Sequence, residues 1–267
     1  MSINAVTEFK ITCPQSAHIE SLRSLWKEAF GDSDEFLDNF FGIAFSPQRC
    51  RAVTVGDEVL GALYIFDCLA EGQKIAYIYA VATRKKARGQ GICKKLMEDT
   101  HAYLRDSGYN GAILVPSEAS LFAFYKRVGY ETCSAVAEFE AVANGEAIPT
   151  EKIEKSEYLR NRQKFLPQNS VLQEDANIDF LATYASFYVG DDFVLAAYKS
   201  EDKLHGVELL GNTANAPQIL RALGCKEGTF RTAPQFAPKS ADVRPFAMYC
   251  SSDKNTPPPE YFGIAFD

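Results

Sequence analysis

The sequence predicts an α/β protein of the α+β kind, a mixed central sheet flanked by helices and followed by a smaller C-terminal α/β domain. Three observations predict it. Strand-like runs rich in β-branched and aromatic residues alternate with segments of helical spacing from residue 8 to residue 142. ANGEAIPTEK (143–152) then breaks the pattern with the composition of a linker. Beyond it the alternation resumes in shorter runs to the end of the sequence. The expected domains are therefore 1–145 and 153–267. With 267 residues, 46% of them apolar, the chain can bury a substantial core.

Each element has its own signal. EFKITC (8–13) alternates as a strand, and Pro14-Gln15-Ser16 supplies helix-start chemistry. Ile19, Leu22, Leu25, Trp26 and Phe30 then recur at helical spacing until Gly31. Asp32-Ser33-Asp34 caps a second helix over EFLDNFFGIAF. CRAVTV, VLGALYIFD and KIAYIYAVAT read as strands separated by Gly56-Asp57 and Glu71-Gly72-Gln73. A glycine-bearing basic loop leads into the helix ICKKLMEDTHAYLRDSG; GAILVP is a short buried strand, and ASLFAFYKRVG a short helix stopped by Gly129. YETCSAVAEFEAV is expected to close the unit as a strand, giving the order β-α-α-β-β-β-α-β-α-β. In the second half EKSEYLRNRQKFL and DANIDFLATYASFYV read as helices, and FVLAAYK, LHGVELLG, GTFRTA and PFAMYC as strands. APQILRALG is a helix, SSDKNTPPPE a loop, and YFGIAFD a final strand. GDEVLGALYIFD (56–67) is echoed by GDDFVLAAYKSED (190–202), as in a diverged repeat or in two short β-hairpins alike by chance.

Composition excludes several functions. Seven cysteines occur without a C-x-x-C pair, several inside apolar runs, and read as reduced core residues. Only His18, His101 and His205 are present and none lies near a cysteine pair, so no metal site is expected. A net charge of -7 argues against nucleic-acid binding and suits a cationic acceptor such as an amine. No apolar run approaches the ~20 residues that cross a bilayer. MSINAVTEFK lacks a secretory signal's basic and apolar regions, so no membrane contact and a cytoplasmic location are expected.

The informative segment is YIYAVATRKKARGQGICKKL (77–96), a strand running through a basic loop into a helix. A helix N-terminus offers unpaired N–H groups and the positive end of a dipole, which suits a pyrophosphate. Gly89 and Gly91 let backbone approach phosphate oxygens, and Arg88 offers charge-assisted hydrogen bonds. Neither a Gly-Lys-Ser/Thr nor a G-x-G-x-x-G follows, so the loop is not a Walker or dinucleotide fingerprint.

The segment Arg88-Gly89-Gln90-Gly91-Ile92-Cys93 resembles motif A of the GCN5-related N-acetyltransferase (GNAT) superfamily, Gln/Arg-x-x-Gly-x-Gly/Ala. Cys93 departs from the Gly or Ala of that pattern and is expected to leave slightly less room at the phosphates. Phe124-Tyr125-Lys126-Arg127-Val128-Gly129-Tyr130 resembles the end of motif B, Phe-Tyr-x-x-x-Gly-Phe/Tyr. The resemblance covers residues 5–140. It implies a GNAT-like sheet, acetyl-CoA as cosubstrate, no metal, and an N-acetyltransferase acting on a primary amine of a small molecule or peptide. Val81 and Thr83 would bind the pantetheine arm, and Arg88, Gly89, Gln90, Gly91, Ile92, Cys93 and Ser117 the rest of the cofactor. Tyr125 would give the departing thiolate its proton, as a phenol of pKa ~10 can.

The general base stays open. Glu118 fits a helix-dipole carboxylate as well as a base, and Asp32, Asp34, Glu35 and Asp38 fit a capping turn as well as an acceptor wall. Tyr77 and Tyr79 share a strand face, lining the acceptor slot or packing the core. The carboxylate of Asp267 is a further candidate at a cleft between the halves. GNTANAP (211–217) lacks the arginine and the R-x-x-G-x-G spacing, so a second GNAT-like fold would be degenerate there. Its work would be to shape the acceptor cleft or to pair subunits into a homodimer. The alternatives are a catalytically weak acyl-CoA-binding module or sensor, and an interaction protein built on the second half.

Overall fold

The computed structural model describes residues 9–252 and 256–266. The first half contains β1 (Lys10–Thr12), α1 (Ile19–Phe30), α2 (Asp34–Asn39), β2 (Cys50–Val55), β3 (Glu58–Ala70) and β4 (Gln73–Thr83). It continues with α3 (Ile92–Asp106), β5 (Gly111–Leu114), α4 (Ala119–Arg127), β6 (Glu131–Thr132) and β7 (Ala135–Val142). Helix α1 buries Leu22, Leu25 and Trp26, and Gly31 ends it in a left-handed conformation with φ 79°. Ser33 starts α2 by accepting a hydrogen bond from the Phe36 amide. A π turn, Phe40–Ala44, prolongs that helix.

The second half contains β8 (Glu151–Ile153), α5 (Lys155–Phe165), β9 (Leu172–Gln173), α6 (Ala176–Leu181), β10 (Ser186–Val189) and β11 (Phe193–Ser200). Then come β12 (Lys203–Gly211), α7 (Ala216–Leu223), β13 (Glu227–Thr232), β14 (Asp242–Pro245) and β15 (Met248–Ser251). The helix expected over 175–189 is divided into α6 and β10. The reason is period-two patterning: Phe187 and Tyr188 face different cores, one on each side of the sheet.

Two mixed sheets result. The first runs β1-β2-β3-β4-β5-β15-β6, with β9 added beside β3; the second runs β14-β7-β13-β12-β11-β10-β8. The halves exchange strands. β7, expected to close the first unit, lies between β13 and β14 of the second sheet, whereas β15 lies between β5 and β6 of the first. Side chains fit this exchange. Gly111 of β5 leaves room for the Tyr249 ring of β15, whose hydroxyl would stand 2.1 Å from a Cβ there. Phe139 of β7 stacks on Phe230 of β13 at 5.4 Å, and Glu138 pairs with Arg231 and Arg244 on either side.

The order β8-α5-α6-β10-β11-β12-α7-β13 retraces β1-α1-α2-β2-β3-β4-α3-β5 once the short β9 is set aside. In both series the last two strands are parallel and joined by a helix. The echoed segments of sequence fall on β3 and β11. A central core between the sheets gathers Trp26, Phe40, Tyr64 and Phe66 of the first half with Tyr158, Phe180 and Phe187 of the second. Separate cores lie between the first sheet and α3 and α4, and between the second sheet and α7.

Within YFGIAFD, expected as a strand, residues 261–266 are instead an extended and mostly buried tail with a single bridge, Ser170 to Tyr261. Side chains hold it rather than a strand edge. Gln173 Nε2 donates to the Ile264 carbonyl at 2.7 Å, and the Tyr261 hydroxyl to Glu208 at 3.0 Å. Glu208 also receives Arg162 Nε at 2.6 Å and the Tyr158 hydroxyl at 3.2 Å, all fully buried. A Cβ at Gly263 would stand 2.1 Å from Glu208 Oε1, so only glycine passes there. Asp267 lies outside the described residues.

Candidate active site

β4 and β5 part company early. They pair only at Ile75, Ala76 and Tyr77 with Gly111, Ala112 and Ile113, although β4 continues to Thr83. From Ile78 onward the edge of β4 turned away from β3 has no strand partner among the described residues. The pairing of β4 with β3 also slips by one residue between Ala62 and Tyr64, and Ala80 has φ 48°. The result is a β-bulge beside Val81, at the notch where β4 and β5 have parted.

The loop after β4 is tied down. Arg84 donates to the Val59 and Ser21 carbonyls and to Glu28, and Glu28 Oε1 accepts the Lys85 amide at 2.6 Å. These contacts hold the Glu28 carboxyl below its usual range, the Lys85 amide first and the Arg84 guanidinium second. Arg88 Nε donates to the Thr83 carbonyl at 3.1 Å, leaving its terminal nitrogens without a described partner. Gln90 turns back to the Lys86 carbonyl. Gly89 and Gly91 both have φ 75°, and nothing stands within 4 Å of a Cβ placed on either. Gly91 caps α3 without any side-chain hydrogen bond, so the amides of the first turn point into open space.

Ile92 is buried and offers only its backbone here. Cys93 is half-buried and turned inward beside the Thr83 hydroxyl; burial pushes its thiol up to about 11, so it stays protonated at neutral pH. The Thr83 hydroxyl is itself buried without a well-formed hydrogen bond. Tyr125 projects from α4 into the core against α3, within electrostatic reach of Cys93. Its hydroxyl makes no hydrogen bond among the described residues, and burial raises it well above the ordinary phenol value. Ser117 is exposed on the turn between β5 and α4.

Of the acidic candidates, Glu35 is exposed in the first turn of α2, and the others are engaged. Asp32 accepts from Trp26 Nε1 at 2.7 Å, Asp34 pairs with Lys27, and Asp38 with Arg23 at 2.6 Å. Glu118 accepts from Ser120 at 3.2 Å. Tyr77 and Tyr79 do share a face, with ring centroids 5.9 Å apart. The apolar YFGIAFD, expected to need a partner surface beside this strand, covers them: Phe266 packs on both, and its amide donates to the Tyr77 hydroxyl at 3.4 Å. The aromatic spacing in YFGIAF was the available signal. In the second half the counterpart of the cofactor loop is filled by its own side chains. Asn212 accepts the Ala214 amide, and Asp192 receives both Asn212 and Asn215. A carboxylate at that turn repels phosphate.

The family model for an acetyltransferase (GNAT) domain matches residues 11–133. That segment, a little under half of the chain, is similar to the GNAT acetyltransferases. No curated protein matches the chain in sequence. Among solved structures, a GCN5-related N-acetyltransferase from Kribbella flavida superposes with a TM-score of 0.69 at 18% identity, covering 92% of this chain and 72% of that one. One from Anabaena variabilis gives 0.69 at 18%, covering 92% and 73%. Eis1 from Mycobacterium abscessus gives 0.64 at 13%, covering 91% and 74%. The likeness of fold thus extends through both halves, while the family match lies in the GNAT domain that carries the notch, the loop and Tyr125. Among the described residues no group of three or more His, Cys, Asp or Glu could hold a metal, and no helix is long and apolar enough to cross a membrane.

Proposed function

We propose that this GNAT protein is an N-acetyltransferase that moves the acetyl group of acetyl-CoA to a primary amine of a small molecule or peptide by direct attack. The observation that carries the reading is the unpaired β4 edge leading into the open first turn of α3, with Tyr125 within electrostatic reach of Cys93 on that turn. The residues present fit the cosubstrate. The pantetheine amides would complete the ladder along Val81 and Thr83, as an added strand does. The amides of Ile92 and Cys93, with Gly89, Gln90 and Gly91 as a Cβ-free approach, would cradle the pyrophosphate, and the terminal nitrogens of Arg88 would pair with it. Ser117 would flank the cofactor from the other wall of the notch.

In the reaction the neutral amine attacks the thioester carbonyl, and the Val81 N–H beside the bulge stabilises the charge that develops on its oxygen. The C–S bond breaks, and Tyr125 passes its phenolic proton to the departing sulfur; water takes the proton lost by the new amide and returns one to Tyr125. The raised pKa of Tyr125 suits this role. The same burial that disfavours phenolate disfavours the thiolate, so the proton transfer stays close to balanced.

Thiol release over a panel of amines, polyamines, aminoglycosides, amino acids and peptides is the test. Tyr125→Phe is expected to lower turnover by about ten- to a thousandfold with cofactor affinity changed only a few-fold. Lost binding with turnover intact at saturation would make Tyr125 a packing residue. Binding without any turnover across the panel would favour the acyl-CoA sensor.

A further inference from the structure

The second sheet is covered on one face by α7 and on the other by α5 and the tail, but part of that latter face stays open. There the strands present a cavity of about 450 Å³ at the point where β12 and β13 separate, after Gly206 and Phe230. Its floor is a row of directly paired residues across four strands: Tyr198, His205, Thr229 and Glu140. The Tyr198 ring lies nearly parallel to His205, 4.8 Å apart and inclined by 15°, and Tyr184 meets it edge-on at 6.1 Å. Together they form an aromatic corner with a flat wall and an upright one.

Charge distinguishes this cavity from an ordinary solvated sheet face. Glu138, at its edge, is paired with Arg244 and with Arg231, which also lines the cavity. Glu140 and Asp242 also line the cavity, yet neither has an ion pair or hydrogen bond among the described residues. Two carboxylates without counter-ions therefore stand around ring faces whose quadrupoles also attract cations. Concave shape, aromatic walls and a few convergent charges are the features of a small-molecule site. We propose that this cavity binds a small organic ammonium ion with a flat or apolar body, held by Tyr198 and Tyr184 around its carbon skeleton and by Glu140 and Asp242 at its charge. The proposal does not depend on acetyl transfer, since every group it invokes lies outside the cofactor notch.

The test uses the full chain without acetyl-CoA, titrated with phenethylammonium chloride and, separately, with phenethyl alcohol, its neutral counterpart of similar size. Saturable binding of the ammonium is expected, with the alcohol at least about tenfold weaker. Tyr198→Ala and the double variant Glu140→Gln/Asp242→Asn should each weaken the ammonium about three- to tenfold. Both alter exposed side chains, and unchanged melting curves would verify their folding. Gly91→Val, altered at the notch, should bind the ammonium as the wild type does. Equal affinities for the two probes, no saturable binding, undiminished binding in both cavity variants, or loss of binding in Gly91→Val would each overturn the proposal.

Discussion

Gly91 is the residue at which backbone geometry and ligand chemistry coincide. Its φ of 75° costs a branched side chain about 1–2 kcal/mol, and the open space beside it is the space a phosphate needs. Gly91→Val should therefore melt lower and lose the rise in melting temperature that acetyl-CoA gives the wild type. Gly31→Ala is the matched control, since Gly31 has φ 79° with equally open surroundings but lies far from the loop in sequence. It should melt lower and keep the acetyl-CoA shift; an undiminished shift in Gly91→Val would place the cofactor elsewhere. His101 makes a second prediction. Burial, with Arg105 second, depresses its pKa to about 4, and its Nε2 lies 3.0 Å from the Tyr130 hydroxyl. A depressed pKa contributes stability above the unfolded value of ~6.5, and that contribution fades as pH falls towards 4. The loss is about 3 kcal/mol at most. Melting curves of His101→Gln should accordingly be flatter than the wild type's between pH 6.5 and 4. At this scale the sequence was legible where the backbone demands a particular residue, as at Gly89 and Gly91. It was silent on where Cys93 points and how deeply Tyr125 is buried, because both depend on how α4 packs against α3.

Among elements, the tail is held most distinctively. Arg162 and Glu208, with the Tyr158 and Tyr261 hydroxyls, form a fully buried and fully paired network that joins α5, β12 and the segment after Pro259. Removing one member strands the others. Arg162→Met should cost about 3–5 kcal/mol through the unpaired Glu208 carboxylate, whereas the double variant Arg162→Met/Glu208→Met should recover much of that loss. Chemical denaturation of both variants measures the difference, and a double variant no more stable than the single one would contradict this account. The helices and the long strands β2, β3, β4, β11 and β12 were legible because their apolar periods are sustained. β8, β9 and β14 were not, being two to four residues long with no period to detect. YFGIAFD carries strand composition, but its residues 261–266 are held by side chains, which no local pattern reports.

For the whole molecule, the exchange of β7 and β15 decides how separable the halves are. A fragment of residues 1–150 keeps β7 without β13 or β14, and keeps β5 and β6 without the strand between them. Its apolar edges would be open to other chains. The fragment should aggregate or lose near-ultraviolet circular dichroism. A soluble fragment that acetylates the same amine with unchanged efficiency would show the second half to be dispensable. The sequence reports that PFAMYC and YETCSAVAEFEAV are strands and which residues share a face. It cannot report which sheet each joins, because an antiparallel strand of alternating pattern fits either edge equally.

The reciprocal strands also set a timetable for synthesis. The edge of β5 is complete at Leu114, but its neighbour β15 ends only at Ser251. At translation speeds of ~5–20 residues per second, that leaves the edge bare for roughly 7–27 s on the ribosome. Such an interval is long beside the microseconds in which strands can pair, so nascent chains meet one another, or a chaperone, before they meet their own C-terminus. Yield in the cell would then follow elongation rate and chaperone supply more closely than the melting temperature of the finished protein.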